Sequence, residues 1–335
     1  MTKSASPTDV ATTIFNPVES VGDLMISVIM LTYNRENLVG RAIESILNQT
    51  FRDFEFIMVD NGSTDRSGAI ADEYAAKDSR IRVLHCRCGN IGSGRNAGLD
   101  AAQGDYIAFV DDDDTCEPDF LEFLYKLAVE NNAAVSICGT LSNSSDQRAS
   151  TDIVEQMTVM NTQQAIITLM WRKLYNTGFP TKLIDSSLFR NIRFAETGKY
   201  DDISLMYKVL AGAKTVAYHG MPKYHVYRHA GNNSSVTTKD NLITAEYLDA
   251  YRKAYRERTH WLGARFPNQS DYWWYFYWSF QISMVNKIVT NKIKNCEIHL
   301  AEIRSELAEN RSRFLNSSHI LDFEKKWMEI YVKAR

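Results

Sequence analysis

The sequence predicts an α/β protein with a mostly parallel sheet, followed by a helical carboxyl-terminal region. From residue 26 onward, strand-like runs alternate with segments whose apolar residues recur at helical spacing. Such alternation with short loops implies right-handed crossovers between parallel strands. One strand-like run, residues 106–110, ends in four consecutive aspartates, at the end of the strand where open α/β sheets bind ligands. After residue 236 the pattern is almost wholly helical.

The first half of the chain supplies the strands and helices in alternating order. Four runs rich in apolar and β-branched residues predict strands: 26–31, 54–59, 81–84 and 106–110. Helical spacing predicts three helices between them: 38–47, 65–76 and 95–102. A further helix is expected from Pro118 to about residue 131, because proline suits the first turn of a helix. This order is typical of a nucleotide-binding α/β domain.

The second half is more irregular before it becomes helical. We expect a strand over 134–138, a polar loop over 141–150 and a helix over 161–171. An amphipathic helix is expected from Asp201 to Leu210, ending near Gly212. These patterns divide the chain into three parts: a flexible tail over 1–24, an α/β domain over 25–236 and a helical region over 237–335.

The aspartate run, Asp111 to Asp114, predicts a site for a hard metal ion. Four like charges in a row repel one another, so their placement at the end of a buried strand favours a bound cation. Carboxylate oxygens suit Mg²⁺ or Mn²⁺, which proteins commonly hold together with substrate phosphates. The alternative is a solvated acidic loop. An EF-hand calcium loop is rejected, because Cys116 stands where that loop requires glycine.

Composition and charge exclude several function classes. The chain has 335 residues, of which 44% are hydrophobic, and a formal net charge of −3 at pH 7. This charge disfavours nucleic acid as a partner. Five cysteines without a Cys-x-x-Cys pair indicate reduced thiols, no zinc knuckle and a cytoplasmic setting. The first 25 residues are polar and lack the pattern of a signal peptide.

Five motifs occur in a characteristic order along the first half. They are VIMLTYNR at 28–35, SILNQT at 45–50, VDNGSTD at 59–65, GRNAG at 94–98 and the aspartate run. Together they resemble family 2 of the inverting glycosyltransferases, which have the GT-A fold. The resemblance covers about residues 25–235. It implies transfer of a sugar from a nucleotide diphosphate donor, with a divalent metal ion.

The resemblance places the nucleotide base and ribose against the first strand and the turn that follows it. The residues that this assigns to the nucleotide are Thr32, Tyr33, Asn34 and Glu36. Independently of the family, Asn34 at a strand end offers both a hydrogen-bond donor and an acceptor to a base or a ribose hydroxyl. A helix N-cap is the alternative interpretation of Asn34.

The turn after the second strand would contact the uracil edge of the nucleotide. Asp60 and Asn61 carry the hydrogen-bonding groups, while Gly62 permits the tight turn. A turn without a binding role is the alternative. The family often carries Asp at the position of Asn61.

The glycine-rich segment over 92–97 also fits the dinucleotide-binding fingerprint of dehydrogenases. That fingerprint belongs in the first βα turn, whereas this segment follows the third strand, so a dehydrogenase is disfavoured. In the glycosyltransferase interpretation, the glycines let the backbone approach the donor. Arg95 then supplies positive charge near the diphosphate or the base.

The aspartate run corresponds to the Asp-x-Asp element of the family. The resemblance makes Asp113 the leading metal ligand and Asp111 a contact to the ribose or the metal, while Asp112 tunes the field of the nucleotide site. The Mn²⁺ or Mg²⁺ ion would bridge the two phosphates and stabilise the charge on the departing nucleoside diphosphate.

A second carboxylate must accept the proton of the attacking acceptor hydroxyl. The resemblance assigns this role to Asp202, with Asp201 in place of the usual Glu; either aspartate could instead cap the helix that follows. Arg228 and His229 resemble a late element that closes over the diphosphate, as phosphate or metal partners. Strand-like alternation with solvent-facing basic residues is the alternative for these two.

The helical region contains a segment of dense aromatic residues over 272–280, followed by lysines. It is shorter than the roughly 20 apolar residues that span a bilayer. It could lie on the inner face of the cell membrane. Packing within the helical region or at a homo-oligomer interface is the alternative that we favour.

The sequence thus predicts a metal-dependent, inverting glycosyltransferase. Its donor would be a nucleotide-sugar, preferably a UDP-sugar, and its acceptor a glycan or a lipid-linked glycan. A role in bacterial surface polysaccharide synthesis follows by analogy. The competing hypothesis is a catalytically silent module that binds sugar nucleotides.

Overall fold

The computed structural model describes residues 24–87, 89–142, 156–196, 201–229, 232 and 243–332. Three sequence predictions therefore lie wholly or mostly outside the described residues: the tail over 1–24, most of the loop over 141–150 and the boundary near residue 236. Within the described residues, helices flank a mixed sheet of nine strands, and further helices follow. The predicted α/β fold with a helical carboxyl-terminal region is confirmed.

The parallel part of the sheet consists of four strands in the order β3-β2-β1-β4. Their bounds are β1 (Ile26–Thr32), β2 (Phe54–Asp60), β3 (Ile81–His85) and β4 (Tyr106–Asp111). Strands β1, β2 and β4 are apolar on both faces because helices cover the sheet from both sides. All four strands lie where the sequence predicts them, to within one residue at either end.

Five further strands extend the sheet beyond β4 and make it mixed. They are β5 (Thr115–Cys116), β6 (Val135–Ser142), β7 (Met157–Asn161), β8 (Lys182–Asp185) and β9 (Thr215–Val226). Strand β8 runs antiparallel to both β4 and β6, while β6 and β9 are parallel. Among these five strands, the sequence predicts only β6.

Six helices belong to the sheet-containing part and five to the carboxyl-terminal region, within the described residues. The first set is α1 (Val39–Leu47), α2 (Ser67–Ala75), α3 (Ile91–Ala101), α4 (Phe120–Glu130), α5 (Thr162–Trp171) and α6 (Asp201–Gly212). The second set is α7 (Ala245–Arg265), α8 (Ser270–Thr290), α9 (Glu297–Glu309), α10 (Arg311–Leu315) and α11 (Asp322–Tyr331).

Helix α3 begins four residues earlier than the sequence predicts, so Gly92 and Gly94 lie within the helix. The side chain of Asn90 caps the helix by accepting a hydrogen bond from the backbone N of Ser93 at 2.8 Å. A Cβ atom at Gly94 would collide with Leu31, and one at Gly98 with Ile29. Gly94 and Gly98 therefore let α3 pack closely on β1, and approach of the backbone to the donor stays a prediction.

The aromatic segment over 272–280 lies on α8 and is mostly buried. Trp273, Tyr275, Tyr277 and Trp278 are nearly inaccessible and pack within the helical region. Internal packing is thus confirmed for this segment, and these side chains are not available to a membrane surface. Among the described residues, no helix has the length and hydrophobicity needed to cross a membrane.

Candidate active site at the carboxyl edge of the sheet

Strand register brings the polar ends of three parallel strands together. Leu31 of β1 pairs with Asp111 of β4, and Thr32 pairs with Asp60 of β2. The residues that follow each strand therefore emerge side by side at one edge of the sheet. Thr32 itself is fully buried, while Tyr33 is exposed beyond it.

Three of the four consecutive aspartates form a cluster suited to a metal ion. Asp111, Asp113 and Asp114 each offer a carboxylate oxygen, and these atoms all lie within 4.8 Å of one another. Hard oxygen ligands at this spacing fit Mg²⁺ or Mn²⁺. Asp114 was not among the ligands that the sequence suggests, although it belongs to the same run.

The aspartates perturb one another's protonation strongly. Burial, together with repulsion from Asp114 and Asp113, raises the pKa of Asp111 well above its ordinary value, against the attraction of Arg95. Burial and the neighbouring Asp113 raise the pKa of Asp114 to about 6. The side chain of Asp111 nevertheless keeps 46% of its surface accessible, so a ligand can reach it. A cation would relieve this repulsion.

Asp112 is not one of the three clustered carboxylates and instead supports the loop after β1. Its carboxylate accepts a hydrogen bond from the backbone N of Tyr33 at 3.2 Å and lies 3.7 Å from Nε of Arg35. Burial raises the pKa of Asp112 to about 6, while Thr32 and Arg35 oppose that shift. Asp112 thus positions Tyr33 at the proposed nucleotide site.

Residues that follow β9 also contact the aspartate cluster. Nε2 of His229 lies 2.9 Å from Oδ2 of Asp113, and the same oxygen accepts a hydrogen bond from Asn232 at 3.1 Å. Arg228 is exposed, and its charge lowers the pKa of Asp114 in opposition to burial. His229 and Arg228 therefore lie beside the cluster, where the sequence suggested them.

Arg95 connects the aspartate cluster to Asp202, which begins the first turn of α6. Its Nη1 lies 2.5 Å from Oδ1 of Asp202, and its Nη2 lies 3.7 Å from Oδ1 of Asp111. The Asp202 side chain remains 31% exposed and so can be reached by a ligand. The side chain of Asp201 is outside the described residues.

Three phenylalanine rings hold the Arg95 guanidinium in place. Its central carbon lies 5.8 Å from the ring centre of Phe109, 5.7 Å from Phe179 and 5.3 Å from Phe194. Arg95 is only 7% exposed. Cation–π contacts of this kind strengthen when the cation is removed from water. The cage therefore fixes the charge that faces Asp202.

Lys182, at the start of β8, is a buried cation that the sequence analysis did not identify. Its Nζ donates a hydrogen bond to the carbonyl oxygen of Gly178 at 2.5 Å. Burial lowers the pKa of Lys182 to about 8, although the negative charge of Asp202 opposes that shift. Lys182 and Arg95 thus both place positive charge near Asp202.

Asn34 and Glu36 bind neighbouring loop backbone within the protein. The side-chain oxygen of Asn34 accepts a hydrogen bond from the backbone N of Thr64 at 2.8 Å. Glu36 accepts one from the backbone N of Arg66 at 3.0 Å. Asn34 has a positive φ of 52° and does not cap α1, whose N-cap position is Leu38. Both side chains join the loop after β1 to the loop after β2.

Asp60 and Asn61 are also engaged by protein groups. Asp60 lies 3.1 Å from Nδ1 of His85, whose other ring nitrogen lies 3.0 Å from Asp72. Both carboxylates raise the pKa of His85, and the hydrogen bond with Asp72 has the larger effect. Asn61 donates to the carbonyl oxygen of Gly89 at 2.9 Å. The pair therefore shapes the loop between β3 and α3.

Sequence reasoning missed several residues of the site. The run of four aspartates was a sufficient signal for Asp114, whereas no local pattern marks Lys182, Asn232 or the phenylalanine cage. Those residues come from distant parts of the chain and meet only through the sheet topology.

Comparison with known proteins shows which family and which fold the chain is similar to. Residues 27–193 match the model of Glycosyl transferase family 2. The glycosyltransferase GlyG of Streptococcus pneumoniae serotype 4 is 31% identical over 217 residues, which cover 62% of this chain and 72% of GlyG. The uncharacterized glycosyltransferase EpsJ of Bacillus subtilis is 35% identical over 191 residues, or 53% of this chain and 55% of EpsJ. The match thus spans little more than half the length of EpsJ.

A solved structure shares the fold at low sequence identity. The crystal structure of S. aureus TarS 1–349 in complex with UDP-GlcNAc superposes with a TM-score of 0.61 and 20% sequence identity. The superposition covers 88% of this chain and 79% of the TarS chain. At this identity the similarity concerns the fold.

Proposed function

This chain belongs to glycosyl transferase family 2, and on that basis we propose that it is a metal-dependent, inverting glycosyltransferase. Its donor is a nucleotide diphosphate sugar, preferably a UDP-sugar, and its acceptor is a hydroxyl of a saccharide or a lipid-linked saccharide. The family membership supports the reaction class. The observation that carries the finer proposal is the link from the aspartate cluster through Arg95 to Asp202.

The donor diphosphate binds beside Asp111, Asp113 and Asp114. The oxygen ligands of these three residues fit a hard divalent ion, and their mutual repulsion without a cation supports one there. When bound, Mn²⁺ or Mg²⁺ would offset the negative charge that develops on the departing nucleoside diphosphate. His229 and Asn232 hold Asp113 in place, since both contact its Oδ2.

The nucleotide base lies at the ends of β1 and β2. Tyr33 is exposed and offers a ring for stacking, and Asp112 fixes its backbone. Thr32, Asn34, Glu36, Asp60 and Asn61 shape this part of the site. Since the side chains of Asn34, Glu36, Asp60 and Asn61 form hydrogen bonds with protein groups, we assign these four the role of holding the loops around the nucleotide.

Asp202 acts as the general base. A carboxylate oxygen of Asp202 accepts the proton of the acceptor hydroxyl while the hydroxyl oxygen forms a bond to the anomeric carbon. The bond from that carbon to the diphosphate oxygen breaks, and its electron pair leaves with the nucleoside diphosphate. Arg95 orients the carboxylate of Asp202 through the charged contact between Nη1 and Oδ1 at 2.5 Å.

Nucleotide release from UDP-, GDP-, dTDP- and CMP-sugars, with mixed glycan acceptors and either Mn²⁺ or EDTA, tests the proposal. We expect Mn²⁺-dependent release from one donor. Asp113→Asn should reduce it on the order of 100-fold or more, since charge stabilisation by a metal is worth several kcal/mol. Asp322→Asn, which alters a highly exposed carboxylate on α11, is the matched control. No release from any donor, despite measurable binding of UDP, would favour the silent binding module instead.

A further inference from the structure

A second cluster of charged and aromatic side chains lies where the helical region meets α5 and α6. Helix α7 carries Tyr247, Tyr251 and Tyr255 at four-residue spacing, so the three rings share one face. The ring centres of Tyr247 and Tyr251 are 4.2 Å apart, and those of Tyr251 and Tyr255 are 6.2 Å apart. Phe280 of α8 stacks on Tyr255 at 4.0 Å. We call these three tyrosines the tyrosine ladder.

Two arginines accompany the tyrosine ladder. Arg258 is 4% exposed, and its guanidinium carbon lies 4.1 Å from the ring centre of Tyr255. Arg172 follows α5 in a left-handed conformation with φ 51°, is exposed, and interacts electrostatically with all three tyrosines. The pKa of Arg258 is lowered by burial, and the nearby charge of Arg172 contributes to that shift. One arginine is thus buried and the other is accessible from solvent.

Among the described residues, no carboxylate forms an ion pair with Arg172 or Arg258. The tyrosine ladder, Tyr255 most strongly, raises the pKa of Arg172. Burial and the charge of Arg172 lower the pKa of Arg258, while Tyr255 and Tyr207 oppose that shift. Burial alone would raise the pKa of Tyr255, yet Arg172, Arg258 and, to a smaller degree, Lys287 lower it. Two neighbouring positive charges with no carboxylate partner in the part of the chain that the structure describes are costly, particularly when one of them is buried.

Arginines on the other face of α7, unlike Arg258, form ion pairs with carboxylates. Arg252 there lies 2.6 Å from Glu302, and Arg256 lies 3.0 Å from Glu306. Those arginines have carboxylate partners on α9 and need no ligand. The arrangement around the tyrosine ladder therefore indicates a site for an external anion.

The helix that carries the proposed base, α6, packs against α7. Helix α6 packs on α7 through Tyr207 against Trp261, with ring centres 5.4 Å apart, and through Lys208 with Glu257 at 3.1 Å. Ile203, the residue after Asp202, belongs to the same buried cluster as the tyrosine ladder. The helix that carries Asp202 thus packs directly on the helix that carries the tyrosine ladder.

We propose that Arg172 and Arg258, with hydroxyl groups of the tyrosine ladder, bind a phosphate group of the acceptor. Guanidinium groups match phosphate oxygens through paired hydrogen bonds, and tyrosine hydroxyls add further donors. Bound there, a phosphorylated acceptor is held close to α6, with its hydroxyl presented to Asp202. The acceptor role rests on the proposed function, whereas binding of phosphate does not.

The test measures binding of glycerol 1-phosphate and of inorganic pyrophosphate by calorimetry, in EDTA and then with Mn²⁺ and saturating UDP. The first probe stands for a phosphate ester of a glycan, and the second for the diphosphate of a lipid-linked saccharide. We expect binding that survives UDP and weakens at least 10-fold in Arg258→Gln and in Arg172→Gln. Arg252→Gln, on the other face of the same helix, should bind as the wild type does.

Each outcome decides the proposal separately from the transferase activity. Absence of phosphate binding in the wild type, or equal binding by all three arginine variants, would overturn it. Displacement of the probe by UDP would place the phosphate in the donor site and also overturn it. Because Arg172 is exposed, its variant remains informative if Arg258→Gln does not fold. Failure of sugar transfer with intact phosphate binding would count against the proposed reaction and not against the anion site.

Discussion

Arg95 and Arg258 are both buried arginines packed against aromatic rings, yet their electrostatic surroundings differ. Arg95 is 7% exposed and faces two carboxylates, Asp202 and Asp111. Arg258 is 4% exposed and is accompanied by the like charge of Arg172 and by tyrosines. Arg95, whose carboxylate partners belong to the protein, positions those carboxylates for the proposed reaction. Arg258, which has no carboxylate partner among the described residues, indicates a site for an external anion.

The largest expected effect concerns the carboxylate that Arg95 faces. Asp202→Asn keeps the shape of the side chain but removes the proton acceptor, so we expect sugar transfer to fall about 10²- to 10⁴-fold. Donor binding, measured by calorimetry with UDP and Mn²⁺, should remain within a few-fold of the wild type. Unchanged transfer would mean that another group accepts the proton.

A smaller effect is expected when Arg95 itself is changed. Arg95→Gln leaves Asp202 and Asp111 without their shared cation, so kcat should fall roughly 10- to 100-fold, as for loss of one charged hydrogen bond. Arg95→Lys keeps the charge but cannot reach both carboxylates as a planar fork does, and it should recover part of the loss. KM for the acceptor should change less than kcat.

The paired variants distinguish a positioning role from a purely structural one. A structural role would lower the melting temperature of both variants without separating kcat from KM. If Arg95→Lys and Arg95→Gln were equally impaired, then the charge near Asp202 would not be the relevant property.

The smallest effect concerns His85. Like Arg95 it has two carboxylate partners, Asp60 and Asp72, but its side chain is half exposed. Asp72 and Asp60 raise its pKa above the unfolded value near 6.5, so its stabilising contribution is complete below that pH. The contribution is lost as the pH rises through the folded pKa. Because the pair with Asp72 is exposed, we expect less than about 1 kcal/mol.

Thermal melting of wild type and His85→Gln at pH 5.5 and pH 9 measures this contribution. The difference in melting temperature should be larger at pH 5.5. Asp72→Asn, which removes the principal cause of the raised pKa, should show a reduced pH dependence. A difference of the same size at both pH values would contradict the assignment.

Local sequence patterns were sufficient for the parallel half of the sheet. Strands β1, β2 and β4 are apolar runs bounded by turns, and the aspartate run at the end of β4 is contiguous in the chain. Strand β8 was missed because it is only four residues long and pairs antiparallel with strands that precede it by tens of residues.

The roles of individual polar residues were harder to predict than the site itself. Hydrogen-bonding groups that suit either a nucleotide or a neighbouring protein group are carried by Asn34, Asp60 and Asn61. Only the fold shows that these groups bond to other residues of the protein. The contact between Arg95 and Asp202 joins residues 107 positions apart, so no local pattern could reveal it. The anion site likewise joins residues from different helices, since Arg172 follows α5 whereas Arg258 lies on α7.

In the proposed reaction, a divalent ion and the donor diphosphate bind together at the carboxyl edge of the sheet. Crystals grown with MnCl₂ and UDP would test this directly through the anomalous scattering of manganese. We expect a peak about 2.1 Å from oxygens of Asp111, Asp113 or Asp114, with the UDP diphosphate beside it. Ordered UDP with no manganese at these aspartates, or manganese bound at a different part of the protein, would contradict the proposed metal site.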